Sequence, residues 1–226
     1  MDIFIRFYQF DTNIHPYILN IEVIKSITLE VLDSMARKKR IWSPYHFNHV
    51  VMRGNNRQNI FNNVDDFREF FRVVQYARQK YPFTIITYCI MTNHYHLLIR
   101  SPEVPLGKVM AIINRRYSDY FKKKYHYTGQ LYERRYFADL IKSPIALLTI
   151  SRYIHRNPIA TIPPIVQKME HYPYSSYRYY KTKLPSPYLF VDTDYLPSLF
   201  LRIPQQRSKS YLAFCENEEI RSQPIT

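Results

Sequence analysis

Glycine is nearly missing from this chain, with only Gly54, Gly107 and Gly129 among 226 residues. Nucleotide-binding folds cradle phosphates on glycine-rich loops, so chemistry that draws on ATP is not expected. The two cysteines, Cys89 and Cys215, are far apart and neither sits in a CxxC pair, which excludes a disulfide framework and a zinc ribbon. No stretch approaches the apolar length of a transmembrane helix. The N-terminus carries charges and Asn where a signal peptide needs an apolar core, so no membrane partner and a cytoplasmic location are expected.

Acidic side chains are also short: 18 Asp and Glu face 32 Lys and Arg, a formal net charge of +14. The imbalance is local. Residues 35–180 hold 24 of the cations against 8 acids, residues 1–34 hold 2 against 5, and residues 181–226 hold 6 against 5. Interleaved with them are 22 Tyr and 14 Phe, with a single Trp. Cations and aromatic rings together suit a polyanion whose bases can stack, which is nucleic acid and above all single strands. The expected organisation is an N-terminal extension (1–34), one basic domain (35–180) and an irregular C-terminal tail (181–226) in which residues 195–201 can form a short docking helix.

In the run Met91-Thr92-Asn93-His94-Tyr95-His96-Leu97, strand alternation aims His94 and His96 at one face while Tyr95 and Leu97 face the other. The pair reads either as two metal ligands or as two surface or hydrogen-bonded histidines. Residues 45–53 read as a first strand closed by Gly54-Asn55-Asn56, and residues 83–90 as a second that turns directly into the His94 strand. Asp65 or Asp66 is expected to cap a helix with Phe67, Phe70, Phe71 and Val74 on one stripe. After Pro102, Leu106, Val109, Met110, Ile113, Tyr117, Tyr120 and Phe121 recur at three and four, which predicts a long amphipathic helix. Its other face carries Arg115, Arg116, Lys122, Lys123 and Lys124. Arg134, Arg135 and Tyr136 follow, and this crowd of cations and rings is the expected DNA-binding surface.

Ser143 and Pro144 open a last helix, which should stop near Asn157 because Pro158 disfavours helical geometry before it. Tyr153 and Asn157, four apart, project from one helical face, so a hydroxyl and an amide oxygen can meet one site. His155 points elsewhere and is expected to face solvent or a DNA phosphate. His46, His49, His126 and His171 read as packing or backbone contacts. The order strand, helix, strand, strand, helix, strand, helix predicts an α+β domain, a ferredoxin-like antiparallel sheet with helices packed on one face.

His-x-His on a strand followed by Tyr153-Ile154-His155-Arg156-Asn157-Pro158 on a helix resembles the HUH single-tyrosine transposases of the IS200/IS605 type, REP-associated tyrosine transposases above all. The likeness runs from about residue 37 to 180 and includes Arg53-Gly54-Asn55-Asn56-Arg57, Gly129-Gln130-Leu131-Tyr132-Glu133-Arg134-Arg135-Tyr136 and Tyr172-Pro173-Tyr174-Ser175-Ser176-Tyr177. The resemblance implies His94, His96 and Asn157 as ligands of a divalent metal, Mg²⁺ or Mn²⁺, and Tyr153 as nucleophile on single-stranded or hairpin DNA. Attack by the phenolate would leave a 5′-phosphotyrosine and a free 3′-hydroxyl, so that strands rejoin without ATP. Two alternatives stay open: a non-catalytic hairpin-binding protein, and a metal-dependent phosphodiesterase that uses water. Relatives of this type include dimers and monomers, which leaves a homodimer open.

Overall fold

The computed structural model describes residues 41–200 and 204–217, and all of them belong to one unit, residues 41–226. The expected extension, residues 1–34, lies outside the described residues.

Four strands form one antiparallel sheet: β1 (Phe47–Arg53), β2 (Thr84–Ile90), β3 (His94–Arg100) and β4 (Phe137–Ile141), in the order β2-β3-β1-β4. The β2–β3 hairpin closes where Met91 N–H donates to His94 O at 2.8 Å. In the β1–β3 register, Val51 lies opposite His96 and Arg53 opposite His94. Alternation then sorts the side chains. Val50, Met52, Tyr88, Ile90, Tyr95, Leu97 and Ile99 face one core, while Phe47, Ile86, Cys89 and Leu98 face a second.

The first core is closed by helix α1 (Val64–Lys80) and helix α2 (Leu106–Tyr125), whose apolar stripes are Phe67, Phe70, Phe71 and Val74, and Leu106, Val109, Met110, Ile113, Tyr117 and Phe121. Helix α1 is capped by Asn63, which accepts from Asp65 N–H at 3.1 Å, and Asp66 reaches back to the Asn63 N–H at 3.2 Å. The expected cap Asp66 is thus the other half of a capping box.

The α+β sheet is as expected, and α1 and α2 share one face, but the opposite face is covered as well. Helix α3 (Pro144–Arg156) packs there with helices α4 (Tyr177–Thr182), α5 (Tyr195–Ser198) and α6 (Pro204–Glu216) around Leu147, Ile154, Tyr177, Tyr180, Leu196 and Tyr211. The tail is therefore a layer of the domain. It also pairs with the β2 edge through Val191 on Ile85, beside the bridge from Ser175 to Cys89. Pro204, which reads as a breaker, stands at the start of α6, where proline is tolerated because its missing N–H has no helical partner to lose. Among the described residues no helix is long and apolar enough to cross a membrane.

Candidate active site

Two strands and one helix end meet over the second face of the sheet. On β3, His94 and His96 lie edge to face with ring centroids 5.0 Å apart. Each ring is held from behind. His94 Nδ1 is 2.6 Å from Asn93 Oδ1, an oxygen that can only accept, so the ring proton sits on Nδ1 and the Nε2 lone pair is turned to the site. His96 Nδ1 is 3.0 Å from Nε2 of His49 on β1, and the proton between them leaves His96 Nε2 bare when Nδ1 is the donor. Burial pushes His49 and His94 down to about 4 and His96 well below the ordinary histidine range, with the Arg53 charge adding to the shift at His94 and the neighbouring rings at His96. All three rings are neutral at pH 7, the form in which imidazole binds metals.

Helix α3 supplies the other half. Ser143 caps it through Ala146 N–H with Pro144 at its first position, as expected, and it gives way at Asn157 to a short 3-10 turn (Asn157–Ile159) containing Pro158. The Tyr153 ring is 5.6 Å from that of His96 and 6.3 Å from that of His49, edge-on to both, yet the residue is 44% exposed and open to a substrate. Asn157 Nδ2 donates back to Tyr153 O at 3.3 Å, and its amide hydrogen-bonds both the His94 ring and the Tyr153 side chain. The four residues expected at the site are thus brought together. Desolvation raises the Tyr153 hydroxyl above the ordinary phenol range, opposed by the Asn157 hydrogen bond and by the positive charge of Arg53.

Two residues here escaped the sequence reading. His49, whose expected role is packing, is the partner of His96. Arg53 ends β1 opposite His94 and its charge acts on Tyr153, with Arg57, Arg134 and Glu133 beside it. Burial and its neighbouring arginines lower the Arg53 guanidinium from its ordinary value, the mark of a cation cluster short of anions. Both lie on the His96 face by alternation along β1. Only the β1–β3 register, a long-range property, shows it.

The expected DNA-binding residues divide. Arg134 and Arg135 are exposed on the segment that runs past the end of β1, where Glu133 N–H donates to Arg53 O at 3.1 Å. Arg115 is exposed, 3.9 Å from Asp119, and Arg116 stacks 3.9 Å over the Tyr76 ring. Lys122 is partly buried and Lys123 exposed at the end of α2. Two others are corrected. Lys124 is paired at 2.7 Å with the fully buried Asp66, which also accepts from the hydroxyls of Tyr120 and Tyr125. Tyr136 is buried in the first core. Since α2 lies on the face of the sheet away from Tyr153, only the Arg134 segment adjoins the site. His155 is corrected too: it is fully buried, and its Nε2 lies 3.0 Å from the Tyr211 hydroxyl.

Comparison with known proteins gives the same architecture a lineage. The family model for IS200-like transposases matches residues 43–157, which spans the strand histidines, Tyr153 and Asn157. This chain belongs to the IS200-like transposase family. A REP-associated tyrosine transposase of Haemophilus influenzae is 24% identical over 144 residues, 58% of this chain and 78% of the relative. A solved REP-associated tyrosine transposase bound to a REP hairpin superposes with a TM-score of 0.55 at 14% identity, covering 70% of this chain and 93% of that one, and shares the fold.

The candidate donors beside Tyr153 in this transposase are two imidazoles and one amide. Among the described residues no three His, Cys, Asp or Glu side chains gather into a metal-binding cluster. His94, His96 and Asn157 are the residues that could hold a divalent ion, with positions left for oxygens of a substrate.

Proposed function

We propose that this transposase cleaves and rejoins single-stranded DNA beside a hairpin with Tyr153 as nucleophile. The observation that carries the reading is Tyr153 itself: a half-open tyrosine edge-on to the neutral ring of His96, with the Asn157 amide and the Arg53 charge at its hydroxyl. The Tyr153 oxygen forms a bond to phosphorus and gives up its proton, the bond from phosphorus to the 3′-oxygen breaks, and that oxygen leaves as a 3′-hydroxyl. The product is a 5′-phosphotyrosine. A different 3′-hydroxyl reverses the exchange, so the number of phosphodiester bonds is conserved and no nucleotide is spent.

His94, His96 and Asn157 fit Mg²⁺ or Mn²⁺, an ion that would polarise the scissile phosphate when bound. Asn157 orients the Tyr153 hydroxyl. Arg53 supplies a fixed positive charge where the phenolate and the phosphate meet. Arg57 and Arg134 extend this charge along the DNA backbone. The hairpin as substrate rests on the REP hairpin bound by the solved relative.

The test is a denaturing gel of the protein with Mn²⁺ and end-labelled hairpin oligonucleotides with randomised flanks, run beside Tyr153→Phe. A metal-dependent protein–DNA adduct that disappears in the variant is the expected result. Cleavage that leaves no adduct and survives Tyr153→Phe would assign the reaction to activated water instead.

A further inference from the structure

Helix α6 grips the segment of α3 that bears Tyr153. Arg152 donates from Nε to Phe214 O at 3.0 Å and also reaches Asn217 O, and Arg156 donates to Cys215 O at 3.3 Å. The last carbonyls of a helix have no partners within it, and cations are favoured beside them, so two arginines of α3 cap the C-terminal end of α6. Between them runs a buried chain of hydrogen bonds whose direction is determined. Ser151 Oγ donates to Leu148 O at 2.7 Å, so it must accept from the Tyr211 hydroxyl at 3.0 Å; the Tyr211 oxygen then accepts from His155 Nε2–H at 3.0 Å. His155 is thereby held in one tautomer, and its Nδ1 is buried without a partner. Glu216, in the last turn of α6, accepts from the Tyr177 hydroxyl and Lys181 Nζ of α4.

We infer that α6 is a positioning clamp for the nucleophile: it engages Ser151, Arg152, His155 and Arg156, which flank Tyr153 along α3, and so fixes where the Tyr153 oxygen sits relative to His94 and His96. An apolar contact alone would let α6 slide or turn along α3. A directed chain of buried hydrogen bonds does not, because any shift leaves a buried donor or acceptor unmade. The inference rests on the reading of Tyr153 as nucleophile, and Tyr211 and Ser151 are positioning residues that touch no substrate.

The test uses the full chain with Tyr211→Phe, which keeps the ring and removes the relay, and with the smaller change Ser151→Ala. Two readouts are taken. One is the single-turnover rate of adduct formation with Mn²⁺ and a labelled hairpin oligonucleotide, measured beside the hairpin Kd. The other is amide hydrogen exchange across residues 149–157 relative to β1 and β3. The clamp predicts a Kd within about twofold of the parent, an adduct rate lower by about tenfold or more, and exchange in α3 faster by about tenfold. Unchanged rate and exchange in the folded variants overturn it, and so does a faster adduct rate, which would make α6 a restraint. If the parent chain forms no adduct, the tyrosine mechanism fails and the exchange measurement alone judges the clamp.

Discussion

His49 Nε2 lies 3.0 Å from His96 Nδ1, across two adjacent strands and beneath the ring of Tyr153. His96 faces the site with one nitrogen and is steered through the other, and that second contact holds its ring angle and, when Nδ1 is the donor, leaves Nε2 to the site.

Removing the steering group should therefore weaken metal binding while leaving DNA binding intact. His49→Ala is expected to raise the Mn²⁺ concentration needed for half-maximal adduct formation by about 10- to 100-fold. His49→Gln, whose amide oxygen can still accept from His96 Nδ1, should lose less. The check is a Mn²⁺ titration beside hairpin affinity in the absence of metal. A titration midpoint equal to that of the parent would show that His49 only fills space.

Arg53 should separate activity from stability. Its guanidinium is half-buried and crowded by Arg57 and Arg134, which Glu133 offsets only in part, so the free protein carries a cost that an arriving anion relieves. Arg53→Gln is expected to slow adduct formation by about a hundredfold, with Arg53→Lys in between, since one fixed charge or donor at a transition state is worth about that much. The unfolding midpoint of Arg53→Gln in urea should equal or exceed that of the parent. A variant that reacts at the parent rate would remove Arg53 from the site.

The parts of this site that were legible in the sequence are those carried by short-range geometry. Strand alternation aligned His94 with His96, a four-residue spacing aligned Tyr153 with Asn157, and Pro158 marked where their helix gives way. His49 and Arg53 were invisible because their roles depend on which strand lies beside β3 and in what register, which local pattern does not encode. Lys124 and Tyr136 were misplaced for a related reason. A count of cations and rings records that they are close in sequence, and cannot see that Asp66 lies under one and the first core around the other. Helix α6 was hidden by Pro204 and by apolar residues that follow no single stripe: Tyr211 and Cys215 are buried, while Leu212 and Phe214 are only partly so.

Burial of neutral histidines predicts a protein that loses stability in mild acid. Desolvation holds His49 and His94 down to about 4 and His155 to about 3, whereas in the unfolded chain each has its ordinary value of 6.5. Below that value the unfolded chain binds protons that the folded one refuses. The stability these groups contribute is therefore complete above pH 6.5, and it is lost as pH falls from there toward 4. Each group buried in this way adds up to about 1.4 kcal/mol per pH unit to the slope. Asp66, held below the carboxylate range by Lys124, Tyr125, the Asn62 N–H and Tyr120 despite its burial, adds its loss only at lower pH. Urea unfolding of the metal-free protein should thus show a stability that declines from pH 6.5 to pH 5, before carboxylates titrate. His155→Phe, set among the rings of Tyr177, Tyr180 and Tyr211, removes one of these groups without emptying its place. Its slope over the same interval should be shallower by up to about 1.4 kcal/mol per pH unit. A slope identical to the parent's would mean that His155 is protonated in the folded protein, which would in turn require an acceptor for its Nδ1–H that the packing around it does not offer.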